Sequence, residues 1–285
     1  MGEMQTQLFA MAEGAAFAAI VFLGMWVAKQ VADLRTRSLF DASREVEAGA
    51  NLAIGLRRAG LYLGLAIGMT GALSGSGQAF RADAVALLVE GATLIVLLLI
   101  SLRLTDHVVI PALSNDDAVK DGNVAVGFVE LGIAVATGLV AAGAYSGEGG
   151  GLGNAILFFA LGQAALLLLA RVYEQLTPYG VIELVRQGNA AAGLMLGSML
   201  VAFGFIMRAS IAGPSAGWQQ DLVAFGVSAG GGIALLLLFQ WPIDRLFLPG
   251  ITFREAIERD GNVAAISVAA AVKIALAIVI AAVVV

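Results

Sequence analysis

The chain has no cysteine and a single histidine, His107. Disulfides and thiolate chemistry are thereby excluded, and one imidazole cannot supply the nitrogen-rich ligand set of a zinc or iron site. Charge is scarce too. Only 13% of the 285 residues are charged, about half the share that covers a water-soluble domain. No basic cluster exists that could hold nucleic acid. No serine–lysine or paired-aspartate arrangement stands at helical spacing, so the usual nucleophiles lack a base and no enzyme is expected. No cofactor and no metal are implied. What remains is apolar: 60% of the residues are hydrophobic and the mean hydropathy is +0.91, which makes bilayer the natural solvent.

Apolar stretches near or above 18 residues recur along the whole length, as a hydrocarbon core about 30 Å thick demands of a helix. Eight spans are expected: Leu8–Ala32, Asn51–Leu73, Ala84–Thr105, Asn123–Tyr145, Asn154–Tyr173, Asn189–Ala209, Leu222–Ile243 and Asn262–Val284. Met1 to Gln7 lacks a positive region and the apolar segment after it is long, so it reads as the first span and not as a cleavable signal. The links after odd spans hold eleven cations at or near the membrane edge: Lys29, Arg35, Arg37, Arg44, Arg103, Lys120, Arg171, Arg186, Arg245, Arg254 and Arg259. The links after even spans are rich in Gly and Ser and hold two, Arg81 and Arg208. The positive-inside rule then puts the longer links in the cytoplasm and both termini outside it.

The strongest signal is self-similarity. Each even span opens on one phrase: Asn51-Leu-Ala-Ile-Gly55, Asn123-Val-Ala-Val-Gly127, Asn189-Ala-Ala-Ala-Gly193 and Asn262-Val-Ala-Ala-Ile266, at spacings of 72, 66 and 73 residues. Gly precedes the Asn in three copies, and the first has Gly49-Ala50. Each odd span ends in an acid, Asp33, Asp106, Glu174 or Asp244, 15 to 18 residues before its Asn. The intervening segment reads as a short amphipathic elbow. Pro111, Pro178 and Pro249 punctuate it, Ser114 with Asp117 and Thr252 with Glu255 have capping-box spacing, and a carboxylate (Glu45, Asp117, Glu183) stands six residues before Asn, or seven for Glu255. Two spans per unit mean that all four units enter the membrane in the same sense, as parallel repeats. The chain divides into halves 1–148 (repeats 1–78 and 79–148) and 149–285 (repeats 149–213 and 214–285), arranged as a pseudo-twofold pair or a pseudo-fourfold ring. The Gly-rich stretch 147–153 reads as a flexible hinge between them.

The Gly-Asn-x-Ala opening after an acidic elbow, within a two-span unit, resembles domain-of-unknown-function family 350, small bacterial inner-membrane proteins that commonly carry two such units. The resemblance covers the whole chain, with four units. It implies an all-α polytopic fold and a bacterial inner-membrane location, and it lends no catalytic residues. Ile266 in place of Gly and the absence of Gly beside Asn51 depart from the pattern.

Three groups of residues are candidates for function. Asn51, Asn123, Asn189 and Asn262 are N-caps in one reading, and in the other four amides and helix N-termini that converge to receive an anion or a lipid headgroup. Charges inside spans are costly and so need a reason. Arg58 and Glu130 each lie seven residues after their Asn and are expected to pair across the pseudo-symmetry axis, with Arg57 adjacent, while Glu90 and Lys273 suggest a polar cavity or ion path. The acids Asp33, Asp106, Glu174 and Asp244 suggest an interfacial salt-bridge belt. Glycines every fourth residue, Gly60, Gly64 and Gly68 and also Gly226 and Gly230, suggest close helix packing. Two functions follow: a transporter or channel with a polar path through the bundle, or a non-transporting envelope structural or stress protein that docks a cytoplasmic partner or lipid. A homo-oligomer fits either.

Overall fold

The computed structural model describes residues 2–74, 80–110, 114–146, 151–177, 179–213 and 216–283, with the side chains of 2, 3, 105–107 and 151 outside the description. The stretch 147–150, Pro111 and Pro178 lie outside it, as does the side chain of Asp106. The described residues form helices and no strand. Eight helices are long and apolar enough to cross a bilayer, which makes this a polytopic membrane protein.

Each unit is an outer helix, a short elbow and an inner helix. The outer helices are α1 (Gly2–Thr36), α4 (Phe80–Val108), α7 (Gly151–Leu176) and α10 (Trp218–Leu238). The elbow helices of the first three units are α2 (Ala42–Glu47), α5 (Asn115–Lys120) and α8 (Val181–Arg186). The inner helices are α3 (Leu52–Ser74), α6 (Val124–Tyr145), α9 (Ala190–Ile211) and α12 (Val263–Val283). The seventh span is broken at Phe239 and continues as α11 (Gln240–Phe247). Pro242 accounts for the break, since it has no N–H to offer the carbonyl of Leu238.

The inner helices stand in a row, α3 on α6, α6 on α9, α9 on α12, and the outer helices form a second layer against it. α3 and α12 make no substantial contact. The expected ring is therefore an open row of four, made of two two-unit halves. Each unit presents one face to its predecessor and a different face to its successor, so the two end faces stay free. Backbones touch along the row: a Cβ on Gly60 would lie 2.6 Å from the Cα of Leu131, and Gly64 and Gly138 meet backbone to backbone. Gly226 and Gly230, expected to pack in the same way, face open space, because α10 ends the outer layer. A second apolar cluster of Val135, Leu139 and Val201, with Ile67 and Ile274 against it, joins all four inner helices.

The fourth elbow is a π-helical turn, Glu255–Arg259. It absorbs the one extra residue that puts Glu255 seven places before its Asn instead of six. The corner after each elbow needs a left-handed residue: Gly122, Gly188 and Gly261 supply it at φ 82°, 86° and 54°, and Ala50 takes the same conformation at φ 49°. Gly49 cannot serve there, and a Cβ on it would lie 2.7 Å from the carbonyl oxygen of Glu45. A left-handed alanine costs about 1 kcal/mol relative to glycine. Ala50→Gly should therefore raise the stability of the detergent-solubilised protein by about that much, and Gly122→Ala should lower it by a similar amount, as read by chemical denaturation.

Candidate functional site

The four motif asparagines cap their own helices, each side-chain oxygen accepting an N–H three residues on: Ile54 (3.3 Å), Val126 (3.1 Å), Ala192 (3.0 Å) and Ala265 (3.0 Å). Their amide nitrogens have a second task. Asn51 Nδ2 donates to the carbonyls of Val119 (2.9 Å) and Lys120 (3.1 Å), Asn123 Nδ2 to those of Val185 (3.1 Å) and Arg186 (3.4 Å), and Asn189 Nδ2 to that of Ile257 (2.8 Å). Asn51, Asn123 and Asn189 therefore each fasten their unit to the elbow of the next. The amides point along the row and do not converge on a shared anion site.

Two of the acids that end the outer helices, Glu174 and Asp244, serve their own elbows. Glu174 accepts the N–H of Ile182 (3.1 Å) and Asp244 that of Phe253 (2.9 Å), so in these two units the acid anchors the elbow's entry instead of joining a salt-bridge belt. Asp33 does form ion pairs, with Lys29 (3.0 Å) and Arg58 (2.6 Å). In the fourth elbow Thr252 and Glu255 close a full capping box, which holds the Glu255 carboxyl below its usual range. Ser114 gives half a box, accepting from the Asp117 N–H.

The densest polar group lies between the first two units. Arg57 grips Glu130 in a bidentate pair, both contacts at 2.5 Å, and donates to Asp116 at 2.6 Å, which Arg35 also approaches at 2.6 Å. Arg58 and Lys29 both reach Ser43 Oγ at 3.2 Å. The expected Arg58–Glu130 pair is thus an Arg57–Glu130 pair, and Arg58 turns to Asp33. In a row, the trailing face of one inner helix meets the leading face of the next, so equivalent positions do not meet. Asp116 and Arg35 complete a network whose members are far apart in sequence, and Lys29, Asp33, Arg58 and Ser43 form a second group beside it. The group of Arg35, Arg57, Asp116 and Glu130 balances its charges, and the group of Lys29, Arg58 and Asp33 has one positive charge in excess. Burial raises the Asp116 carboxyl, and the charges of Arg57 and Arg35 outweigh this and hold it below its usual range. The network is shallow: Arg57 and Glu130 sit at the sixth and seventh residues of their helices, about 8 to 9 Å from the elbow end.

Lys273 is fully buried near the middle of α12, but its side chain points back toward the helix start. There Nζ meets Met195 Sδ at 3.0 Å and lies 4.8 Å from the centre of the Phe253 ring. Met195 is the sixth residue of α9, as Arg57 is of α3. The junctions between units 1 and 2 and between units 3 and 4 thus fill one position differently, with an ion-pair network in the first half and a lysine over a thioether and a ring in the second. Glu90 stands apart in the half of α4 away from its elbow, with Oε2 buried and unbonded among the described residues. Gln163 donates to Thr137 at 2.7 Å, a buried interhelical bond between α7 and α6 that no sequence pattern announced.

Two clefts adjoin the network. One of about 50 Å³, with room for a few waters, is lined by Lys29, Asp33, Arg57, Arg58 and Glu130 together with Phe40, Leu61 and Leu102. The other is an open apolar groove of about 690 Å³ between α1 and α4, with Val31, Val96, Leu99 and Ile100 on its walls and Arg35 and Arg103 beside them. Arg35 and Leu99 line both. Glu90 and Lys273 line neither.

A family model described as Domain of Unknown Function (DUF350) matches residues 5–145 and again residues 148–284. The chain belongs to the DUF350 family. Its two matches each span two of the four units, so this DUF350 chain carries the family's sequence twice. No curated protein and no solved structure matches it.

Removing one member of a buried ion pair costs about 3 to 5 kcal/mol, because its partner stays desolvated and uncompensated. Arg57→Leu should show a loss of that order, and Arg57→Leu with Glu130→Leu should lose less than the sum of the two, a coupling of about 1 to 3 kcal/mol by double-mutant cycle. The depressed Asp116 carboxyl adds a pH signature. Its stabilisation is in full force above its unfolded value of about 3.9 and is lost as pH falls through the lower folded value. Thermal stability in detergent should therefore decline on the acid side, and less steeply in Asp116→Asn.

Proposed function

We propose that this DUF350 protein is a non-transporting envelope protein of the bacterial inner membrane that holds an anionic lipid at its elbow-side leaflet. The elbows lie in the cytoplasm in this reading, supported by the cation bias of the links. The carrying observation is the groove between α1 and α4. Its apolar walls suit an acyl chain, and Arg35 and Arg103 stand where a headgroup phosphate would sit. Basic pockets between membrane helices on the cytoplasmic side recognise anionic headgroups in this way. Transport, the second reading, is favoured by Glu90, whose buried carboxylate oxygen has no partner among the described residues.

One preparation separates the two. Native mass spectrometry should show phosphatidylglycerol retained over phosphatidylcholine, with Arg103→Gln and the Arg35→Gln, Arg103→Gln pair cutting retention about tenfold, the equivalent of about 1.4 kcal/mol. Equal retention of both lipids would remove the lipid reading. Proteoliposomes should be no more permeable to ions than protein-free vesicles, whereas a flux that Glu90→Gln abolishes would establish transport.

A further inference from the structure

The row of inner helices ends with its fastening half-made at both ends. At each internal junction an asparagine amide donates to elbow carbonyls of the following unit. Asn262 keeps its cap on Ala265, but its Nδ2 has no acceptor among the described residues. At the other end, the elbow α2 has no preceding asparagine. Its carbonyls of Val46 and Glu47, which match the Ile257 and Glu258 places of the fourth elbow, take no backbone donor among the described residues. Units 1 and 4 share the same wide corner, with Asn51 N–H bonding the Glu45 carbonyl six residues back and Asn262 N–H that of Ala256.

The helix faces are left unmatched in the same way. At the first two junctions the alanine two places after the Asn is buried against the glycine four places after the next Asn: Ala53 against Gly127, Ala125 against Gly193. In the last unit the corresponding Ala264 is exposed, and in the first unit a Cβ on the corresponding Gly55 would meet nothing within 4 Å. The register continues up the helix. Ala53, Gly60, Gly64 and Gly71 on α3, and Ala125, Gly132, Ala136 and Gly143 on α6, form the small-residue ridge that the next helix packs on. α12 repeats it as Ala264, Ala271, Ala275 and Ala282, all exposed. A helix that met only lipid on this face would have no need of small residues there, whereas helix contact in a bilayer depends on them.

We propose that copies of this chain join end to end, the fourth unit of one docking on the first unit of the next through the same contact that joins units within the chain. Asn262 Nδ2 of one copy donates to the Val46 and Glu47 carbonyls of its neighbour, and the alanine ridge of α12 seats on the Gly55 face of α3. The interface is heterologous, so it closes into a ring if the turn per copy divides a circle and otherwise extends as a filament in the membrane plane. All elbows then lie on one side.

The cysteine-free chain allows a direct test by oxidative crosslinking of the full protein in bilayer nanodiscs or native membranes. Gly55→Cys alone and Ala264→Cys alone should form no disulfide dimer, and a mixture of the two should form one. A dimer in either single variant would show a symmetric interface and overturn the proposal, as would the absence of a dimer in the mixture while a Gly127→Cys, Ala53→Cys control within one chain crosslinks. Asn262→Asp tests the hydrogen bond. Aspartate caps the helix as well as asparagine does, yet it offers an acceptor where the neighbouring carbonyls need a donor. Its association should be at least about tenfold weaker at unchanged thermal stability, and unchanged association would remove the asparagine from the contact.

Discussion

The structure depends on one side chain used twice. An asparagine at the corner between elbow and inner helix offers its oxygen to its own first turn and its amide hydrogens to the next elbow. Both groups it satisfies are backbone groups at helix ends, where a bilayer-edge protein has few alternatives to side-chain partners. The left-handed corner before it sets the direction of the side chain, which is why Ala50 accepts a strained conformation rather than lose the geometry. Once the elbow end is fixed, small residues let the inner helices run backbone to backbone. That contact is what holds apolar helices together where lipid is as apolar as they are.

Apart from α1, which packs on α4 and α3 alike, the outer helices depend on the inner row more than on one another. They carry the lipid-facing surface, with Phe9, Phe22, Trp26, Val227 and Leu238 exposed. They are tied in by the helix-end acids, two of which hold the first backbone groups of the elbow. Where such an acid is drawn into ion pairs instead, as Asp33 is, charge accumulates: Arg58 and Lys29 gather on it, and Arg57 bridges to the next unit through Glu130 and Asp116. The Asp33 group thus stands where other units have an anchoring contact, and the Arg57 group lies beside it.

Much of this could be read from the residues. The spans, the parallel sense of the units and the asparagine caps follow from hydropathy, from two spans per repeat and from a residue type with a strong capping preference. The break at Phe239 escaped because Pro242 comes at the very end of a long apolar run. The second use of each asparagine escaped because its acceptors lie 62 to 69 residues away and are carbonyls, which every residue carries. The choice of Arg57 over Arg58 was out of reach for a related reason. Two adjacent residues point about 100° apart on a helix, and only the row arrangement decides which of them faces the next unit. A twofold contact between units would have paired equal positions, and a head-to-tail row does not.

The two halves show what the repeat keeps and what it releases. The asparagine corner and the small-residue ridge recur in all four units, whereas the sixth residue of the inner helix is Arg57, Val129, Met195 and Val268 in turn. At the junction between units 1 and 2 that position carries a guanidinium held by two carboxylates, and at the junction between units 3 and 4 a thioether that receives a lysine from deeper in the neighbouring helix. A buried charge is costly, so two different polar solutions at one level argue that the level is tolerant of polarity because it lies near the elbow end, within reach of the interface. The contacts that repeat therefore build the row, and the contacts that differ are where one half has acquired chemistry that the other lacks. The cleft and the groove with Arg35 both lie in the first half, on the side where the charges gathered.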